Sequence, residues 1–216
     1  MAGVMIDEGY GLYERLQKLD LLEEKPPLWW PNAYTFEVVV GAILTQNTQW
    51  TRVEVSLEQL RDNHLLTLEA LAEVDSELLI ECIRPSGFFK AKSKNIQTLS
   101  QNIISDFGSF ELFQEAVSRE WLLSQRGIGP ESADAILCYA CRREVMVVDK
   151  YTQQLLDALG YSFDAYDEVQ SWCMQGFEKV DDLHQAYALF HGMVVEYMKR
   201  YKKGKKVETL PLNAQF

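Results

Sequence analysis

The run Val145-Met146-Val147-Val148-Asp149-Lys150-Tyr151-Thr152 places a carboxylate directly after an apolar stretch and ahead of an amphipathic segment. Two roles are open to Asp149 there. It can cap the helix that begins at that point, accepting from first-turn amides, a contribution of about 1 kcal/mol. Held ionised by the helix N-terminus, it can also stabilise a nearby positive charge. One side chain can do both. A second constellation is Trp121-Leu122-Leu123-Ser124-Gln125-Arg126-Gly127-Ile128-Gly129-Pro130-Glu131-Ser132-Ala133-Asp134-Ala135-Ile136-Leu137. Gly127 and Gly129 allow a tight turn that leaves backbone N–H groups uncovered. Pro130 suits a first helical turn, where its missing N–H costs nothing. Ala133, Ala135 and Ala140 let the second helix pack close to the first. Such a turn offers a helix N-terminus and free amides to an anion, phosphate above all. An ordinary αα-hairpin closed by glycines has the same pattern.

Positioning these groups is the work of helices. Leu12, Leu16, Leu19 and Leu22 have helical spacing, and Pro26-Pro27 ends that segment. Trp29-Trp30-Pro31-Asn32 reads as a rigid turn. A helix from about Tyr34 follows, with Phe36, Val39, Val40, Ile43 and Leu44 as its stripe. Periodic runs then cover about Arg52 to Asp62, Thr67 to Val74, Ser76 to Ile83, Lys90 to Phe107, Ser109 to Val117, Arg119 to Gln125, Pro130 to Cys141, Asp149 to Leu159, Tyr166 to Phe177 and Leu183 to Tyr201. Strand-like alternation is confined to the brief β-branched run Glu144 to Val148. The pattern predicts an all-α fold.

Composition agrees with a folded helical protein: 216 residues, 47% apolar and 25% charged, outside the range of disordered chains. No run approaches the roughly 18 apolar residues of a membrane helix, so no membrane association is expected. The first residues lack the basic and apolar regions of a secretory signal. Cys82, Cys138, Cys141 and Cys173 read as reduced thiols of a cytoplasmic protein. The net charge of −11 argues against indiscriminate polyanion binding. The cations are nevertheless gathered: Arg84, Lys90, Lys92 and Lys94 lie in a stretch without acids, and Lys199 to Lys206 holds six basic residues in eight. Taken alone the second stretch is a solvated end; together the two can form a positive face suited to nucleic acid.

The hairpin with Val148-Asp149 about twenty residues beyond it resembles the helix-hairpin-helix DNA glycosylases of the endonuclease III superfamily. Gly41-Ala42-Ile43-Leu44-Thr45-Gln46-Asn47-Thr48 is similar to an early helix of that family, and Ile83-Arg84-Pro85-Ser86-Gly87-Phe88-Phe89-Lys90-Ala91-Lys92-Ser93-Lys94 to a further block. The resemblance runs from about Tyr34 to Tyr201. It implies two helical domains with a cleft between them: residues 36–140, including the hairpin at about 119–141, and residues 1–35 joined to 141–216. It implies Asp149 as the catalytic residue, Gln46 as the side chain that fills the gap left in the duplex, and Gln125, Gly127, Ile128 and Gly129 as the DNA grip. Main-chain carbonyls of Leu123, Gln125 and Ile128 would hold a monovalent cation, K or Na.

Departures from the family pattern narrow the expectation. Bifunctional members carry a lysine nucleophile where this chain has Glu131, and a carboxylate cannot form the Schiff base of strand cleavage. Where other members hold a 4Fe–4S cluster on four cysteines, the chain has Val207 and Leu210 at the places of a C-x-x-C pair and no cysteine after Cys173. No cofactor is therefore expected. Cys138 and Cys141 read as packed thiols, and His64, His184 and His191 lack metal-ligand spacing. These departures, with Trp29-Trp30-Pro31-Asn32 and Phe190-His191-Gly192, resemble the bacterial 3-methyladenine branch. The expected enzyme is a monomeric, monofunctional base-excision glycosylase of the cytoplasm (the bacterial nucleoid), acting on alkylated bases in double-stranded DNA.

N3-alkylated adenine is cationic, so an aromatic pocket can hold it by stacking and cation–π attraction, about 2 kcal/mol when desolvated. Trp29, Trp30 and Trp50 are candidates, with core or hinge packing the alternative for the Trp29-Trp30 pair; the resemblance places Trp50 one turn after Gln46, on the side facing the cleft. Lys150, beside Asp149, and Lys199, at the start of the basic tail, are further substrate contacts. A mismatch- or deaminated-base glycosylase of the same superfamily and a non-catalytic DNA-gripping module are the rival functions.

Overall fold

The computed structural model describes residues 6–213. Its helices are α1 (Gly9–Gln17), α2 (Phe36–Leu44), α3 (Trp50–Asp62), α4 (Leu68–Glu73), α5 (Ser76–Ile83), α6 (Phe89–Phe107), α7 (Phe110–Ala116), α8 (Arg119–Ser124), α9 (Pro130–Ala135), α10 (Lys150–Leu159), α11 (Tyr166–Cys173), α12 (Leu183–Tyr201) and α13 (Leu210–Asn213). A 3-10 turn (Arg84–Ser86) leads into α6, and α9 continues as a π-helical turn (Ile136–Ala140). The described strands are a two-residue pair, β1 (Lys202–Lys203) and β2 (Lys206–Val207). Among the described residues no helix is long and apolar enough to cross a membrane. The all-α expectation holds. The chain divides into two compact units, Asn32–Arg142 on one side and, on the other, the residues up to Pro31 with those from Arg143 onward.

The contiguous unit is built around α2, Phe-Glu-Val-Val-Val-Gly-Ala-Ile-Leu, in which every residue is buried. A helix apolar on all sides belongs at the centre. Its one acid, Glu37, is tied down by Asn32 Nδ2 at 2.8 Å and Arg61 Nη2 at 2.9 Å. The short helices around it start where side chains satisfy first-turn amides: Thr67 takes the Ala70 N–H, Asp75 those of Glu77 and Leu78, Ser109 that of Leu112, and Ser118 that of Trp121.

The helix after the hairpin departs from the regular one expected over Pro130 to Cys141. From Ile136 its bonds widen, the Cys141 amide reaching back to the Ile136 carbonyl at 3.1 Å. Other groups take up carbonyls of the π-turn: Tyr139 O receives the Tyr34 amide at 2.7 Å, and Ala140 O receives Gln114 Nε2 at 2.6 Å. The wide turn anchors the entry to α2, a long-range contact that periodicity does not encode. Asp134, fully buried on α9, is gripped by Arg119 Nε and Nη2 at 2.7 and 3.1 Å.

In the other unit α12 packs against α1 and α10, and its core mixes leucines with a cluster of aromatic rings. Phe177, expected to extend α11, instead leaves the helix and inserts its ring among Tyr10, Tyr13, Tyr187 and Phe190, so α11 stops at Cys173. Met146, Val147 and Val148 are buried outside any helix or strand; Gln170 Nε2 bonds the Met146 carbonyl at 2.7 Å. The basic tail is no loose end. The β1–β2 hairpin turns it back, Tyr197 Oη donates to the Glu208 carbonyl, Leu212 is 1% exposed, and Arg15 Nη1 bonds the Leu212 carbonyl at 2.6 Å.

Replacing Arg119 by Ala would leave the buried Asp134 carboxylate without its guanidinium. The expected cost is about 3 kcal/mol, read by urea denaturation; a midpoint unchanged from wild type would show the pair to be immaterial.

Candidate active site

Asp149 occupies the N-cap of α10 with extended backbone. Its Oδ1 accepts from the Thr152 amide at 2.8 Å and the Thr152 hydroxyl at 2.9 Å, and its own amide donates to Thr152 Oγ1 at 3.3 Å. This reciprocal arrangement is a capping box with threonine in the place usually taken by glutamate. Oδ2 is left to face His191 Nε2 at 3.8 Å. The carboxylate is 15% exposed and the imidazole 5%. Burial alone would raise the Asp149 pKa, but bonding and charge from His191, with the two Thr152 donors, carry it below the ordinary carboxylate range.

His191 lies on α12, where it also meets Trp29 edge-on, ring centroids 5.1 Å apart. Trp29 has φ +67°, a conformation that bulky residues rarely adopt. Several contacts hold it: its amide bonds the Pro26 carbonyl at 2.7 Å, its Nε1 donates to Glu196 Oε1 at 3.0 Å, and its ring lies on Gly192. A Cβ at position 192 would stand 2.4 Å from Trp29 Cγ, so only glycine admits the ring. Glu196 is further held by Lys199 at 2.9 Å and Lys25 at 3.6 Å. Burial raises its pKa, and the bonds from Lys199 and Trp29, with both ammonium charges, overcome that and lower it. Lys199 Nζ also stands 5.9 Å above the Trp29 ring. Trp30 is 6% exposed and packs edge-on against Trp29, centroids 6.0 Å apart, which makes it a support for that ring. Lys150 is exposed beside Asp149.

The contiguous unit carries the hairpin. Gly127 turns the chain at φ +79°, and a Cβ there would strike the Asn95 amide at 2.0 Å. Gly129 is exposed, and a Cβ there would meet no protein atom within 4 Å. Ile128 is buried and pins the turn to the core. Gln125 is positioned by Asn102 Nδ2 on its Oε1 at 2.7 Å, and its carbonyl receives the Ile128 amide at 3.2 Å. Leu123 stands in the last turn of α8, where carbonyls lack intrahelical donors. Gln46 reaches the hairpin, its Nε2 lying 2.9 Å from both the Gly127 carbonyl and Ser132 Oγ. Trp50 is the partly exposed first residue of α3.

Lys92 corrects the sequence analysis: it is 3% exposed and contributes nothing to a basic surface. Its ammonium caps carbonyls inside the unit, and burial brings it down to about 8. Arg84, Lys90 and Lys94 are exposed, as expected. Between them stands Phe88, 70% exposed at φ +46°, an aromatic ring held out on a strained turn among cations. Phe88, Thr152, His191 and Glu196 are the residues that reading the sequence missed as parts of a site. The phrase Gly87-Phe88-Phe89 carried the signal for the first, since an aromatic beside a turn glycine has no periodic partner to pack on. All four cysteines are buried, and burial raises the thiol pKa of Cys138 and Cys173 far above the usual range. No cluster of three or more metal-ligating side chains occurs among the described residues.

A capped, ionised aspartate one unit away from a glycine hairpin in sequence invites comparison with known proteins. Residues 40–179 match the HhH-GPD superfamily of base excision DNA repair proteins. The chain belongs to that superfamily. A "putative DNA repair glycosylase" of Methanocaldococcus jannaschii is 36% identical over 184 residues, covering 82% of each protein. The crystal structure of the H. pylori 3-methyladenine DNA glycosylase bound to 1,N6-ethenoadenine superposes with a TM-score of 0.86 at 46% identity, over 89% of this chain and 98% of that one. A non-covalent endonuclease III–DNA complex, at 20% identity, shares the fold with a TM-score of 0.72, over 94% of this chain and 90% of that one.

Asparagine is as good an N-cap as aspartate. Asp149→Asn is therefore expected to melt within a degree or two of wild type, and Asp149→Ala to lose about 1 kcal/mol. Because the native pKa is lowered, the ionic part of this contribution is present above the ordinary carboxylate range and is lost as pH falls through the depressed native value. Thermal melts of the three proteins between neutral pH and pH 3 should show that acid limb shrinking in the Asn variant. Gly192→Ala is expected to displace Trp29 and cost about 1–3 kcal/mol; unchanged tryptophan emission and an unchanged melt would contradict the packing described.

Proposed function

We propose that this HhH-GPD protein is a monofunctional DNA glycosylase that hydrolyses the N-glycosidic bond of alkylated purines, 3-methyladenine chiefly. The observation that carries the reading is Asp149: a largely buried carboxylate kept ionised by Thr152 and His191, with the Trp29 ring packed on the same histidine. The likeness to a 3-methyladenine glycosylase at 46% identity supports the choice of substrate.

The chemistry follows from those groups. A base must leave the stack before its glycosidic bond can be reached, which costs a few kcal/mol, less where damage has weakened pairing. Phe88, and Gln46 once its amide releases the Gly127 carbonyl and Ser132, are suited to occupy the opened stack, both standing on turns of the contiguous unit. The amides at Gly127 and Gly129 would hold a phosphate, and exposed Lys150 and Lys199 would meet the backbone. A cationic base lies favourably on tryptophan, and Trp29 and Trp50 are the rings with exposed area to offer, Trp30 backing the first. When the glycosidic bond breaks, its electron pair leaves with the base, which departs neutral without a general acid. The sugar is left as an oxocarbenium ion. Asp149 faces that cation as a fixed negative charge, and water adds to the sugar carbon and releases its proton to the carboxylate or to solvent.

A monovalent cation at the hairpin would sit on the Leu123, Gln125 and Ile128 carbonyls. The first belongs to a helix C-terminus and the second has one lone pair committed to the Ile128 amide, an arrangement compatible with a weakly held ion. Its contribution would be to stiffen the turn and add positive charge toward phosphate.

The deciding measurement is release of free bases from methylated DNA, separated chromatographically. Wild type is expected to release 3-methyladenine, and Asp149→Asn to lose about 100-fold or more while still binding DNA. A folded wild type that releases no methylated base would sink the proposal. With Glu131 at the nucleophile position, borohydride is expected to trap no covalent complex on damaged duplex; a trapped complex would show lyase chemistry from another amine.

A further inference from the structure

Burying an ammonium is costly unless its protons all find acceptors. Lys92 rises from α6 into the contiguous unit and meets three: the Leu44 carbonyl at 2.7 Å, Thr48 Oγ1 at 2.7 Å and the Ser86 carbonyl at 2.9 Å. Leu44 is the last residue of α2, whose carbonyl would otherwise be orphaned, and Ser86 ends the 3-10 turn. Thr48 strengthens the same junction, its hydroxyl lying 2.5 Å from the Ser86 carbonyl and 3.1 Å from that of Gln46.

The acceptors belong to two separate turns. One follows α2 and carries Gln46 and the exposed Asn47, itself at φ +52°. The other carries Phe88, 70% exposed at φ +46°. Gln46 continues the line to Gly127 and Ser132 of the hairpin. One unbroken series of hydrogen bonds therefore runs from the Phe88 turn through Lys92 and Thr48 to the Gln46 turn and on to the hairpin. A methionine or leucine at position 92 would fill the same volume without directing either turn. The charge supplies direction.

The geometry points to Lys92 as a positioning residue that locks the Gln46 and Phe88 turns into one rigid tool, so that both enter the DNA stack in a single event. The inference rests on the glycosylase reading for its substrate, but the clamp itself can be tested without excision. Two tips that move independently would each have to be ordered on entering a duplex, and that ordering is avoided when they are fixed in advance. A single strand has no pairing to break, so the clamp has nothing to contribute there.

The test uses Lys92→Met and, as a near-isosteric change that keeps the ammonium, Thr48→Val, each checked for folding by circular dichroism. Two readouts are compared with wild type: the fluorescence rise of 2-aminopurine in a duplex, which reports opening of the stack, and 3-methyladenine release from methylated duplex and single-stranded DNA. The clamp predicts that either variant loses about tenfold or more in duplex release and most of the fluorescence rise, while single-strand release changes by less than about threefold. Equal losses on both substrates would reduce Lys92 to a general stabiliser and overturn the inference, as would variants that open the stack like wild type. If Lys92→Met fails to fold, Thr48→Val alone decides. A wild type that opens the stack yet releases no methylated base would refute the substrate reading and leave the clamp standing.

Discussion

The bond from the Thr152 amide to the Asp149 carboxylate is the constraint on which the rest of this arrangement depends. It commits one carboxylate oxygen to the helix and leaves the other to face His191. A carboxyl group this deeply placed would ordinarily take up a proton. Two donors on one oxygen and an imidazole at the other reverse that preference, so burial and ionisation coexist. The buried run Met146 to Val148 holds the backbone behind the aspartate, and α12 holds the histidine before it. Stability of α10 and readiness of the charge are therefore the same property.

Trp29 shows the opposite relation, in which packing holds a strained backbone. A left-handed tryptophan costs about 1–3 kcal/mol. The glycine beneath its ring, the Glu196 carboxylate at its indole nitrogen and the Pro26 carbonyl at its amide together overdetermine the conformation. Lys25 and Lys199 serve the ring indirectly, by keeping Glu196 ionised.

Most helices were legible because a short-range rule, apolar spacing, governs them; α1 is an exception in extent, ending at Gln17 and leaving Leu19, Leu22 and the prolines outside it. The hairpin and Asp149 were legible for the same reason, since a turn glycine and a capping aspartate announce themselves locally. What escaped was set by contacts distant in sequence. The π-turn depends on groups about 26 residues and more away. Phe177 leaves its helix for rings on α1 and α12. Lys92 reads as a surface cation in a basic stretch, and only the fold reveals acceptors 48 residues back. His191 was passed over because metal spacing was the question put to it, whereas its partners are a carboxylate and an indole. The resemblance to a family supplied roles that residue chemistry alone left open.

The unit holding Asp149 is assembled from both ends of the chain, with Arg15 on α1 bonded to the carbonyl of Leu212. The other unit is one continuous stretch. During synthesis from the N-terminus, Asn32–Arg142 can close its core as soon as it emerges, while α1 must wait for α12 and the final hairpin. The glycine hairpin lies wholly within the first of these, whereas the Asp149 carboxylate meets His191 only once α12 has formed. The setting that keeps Asp149 ionised is thus assembled late, after the hairpin has already taken shape.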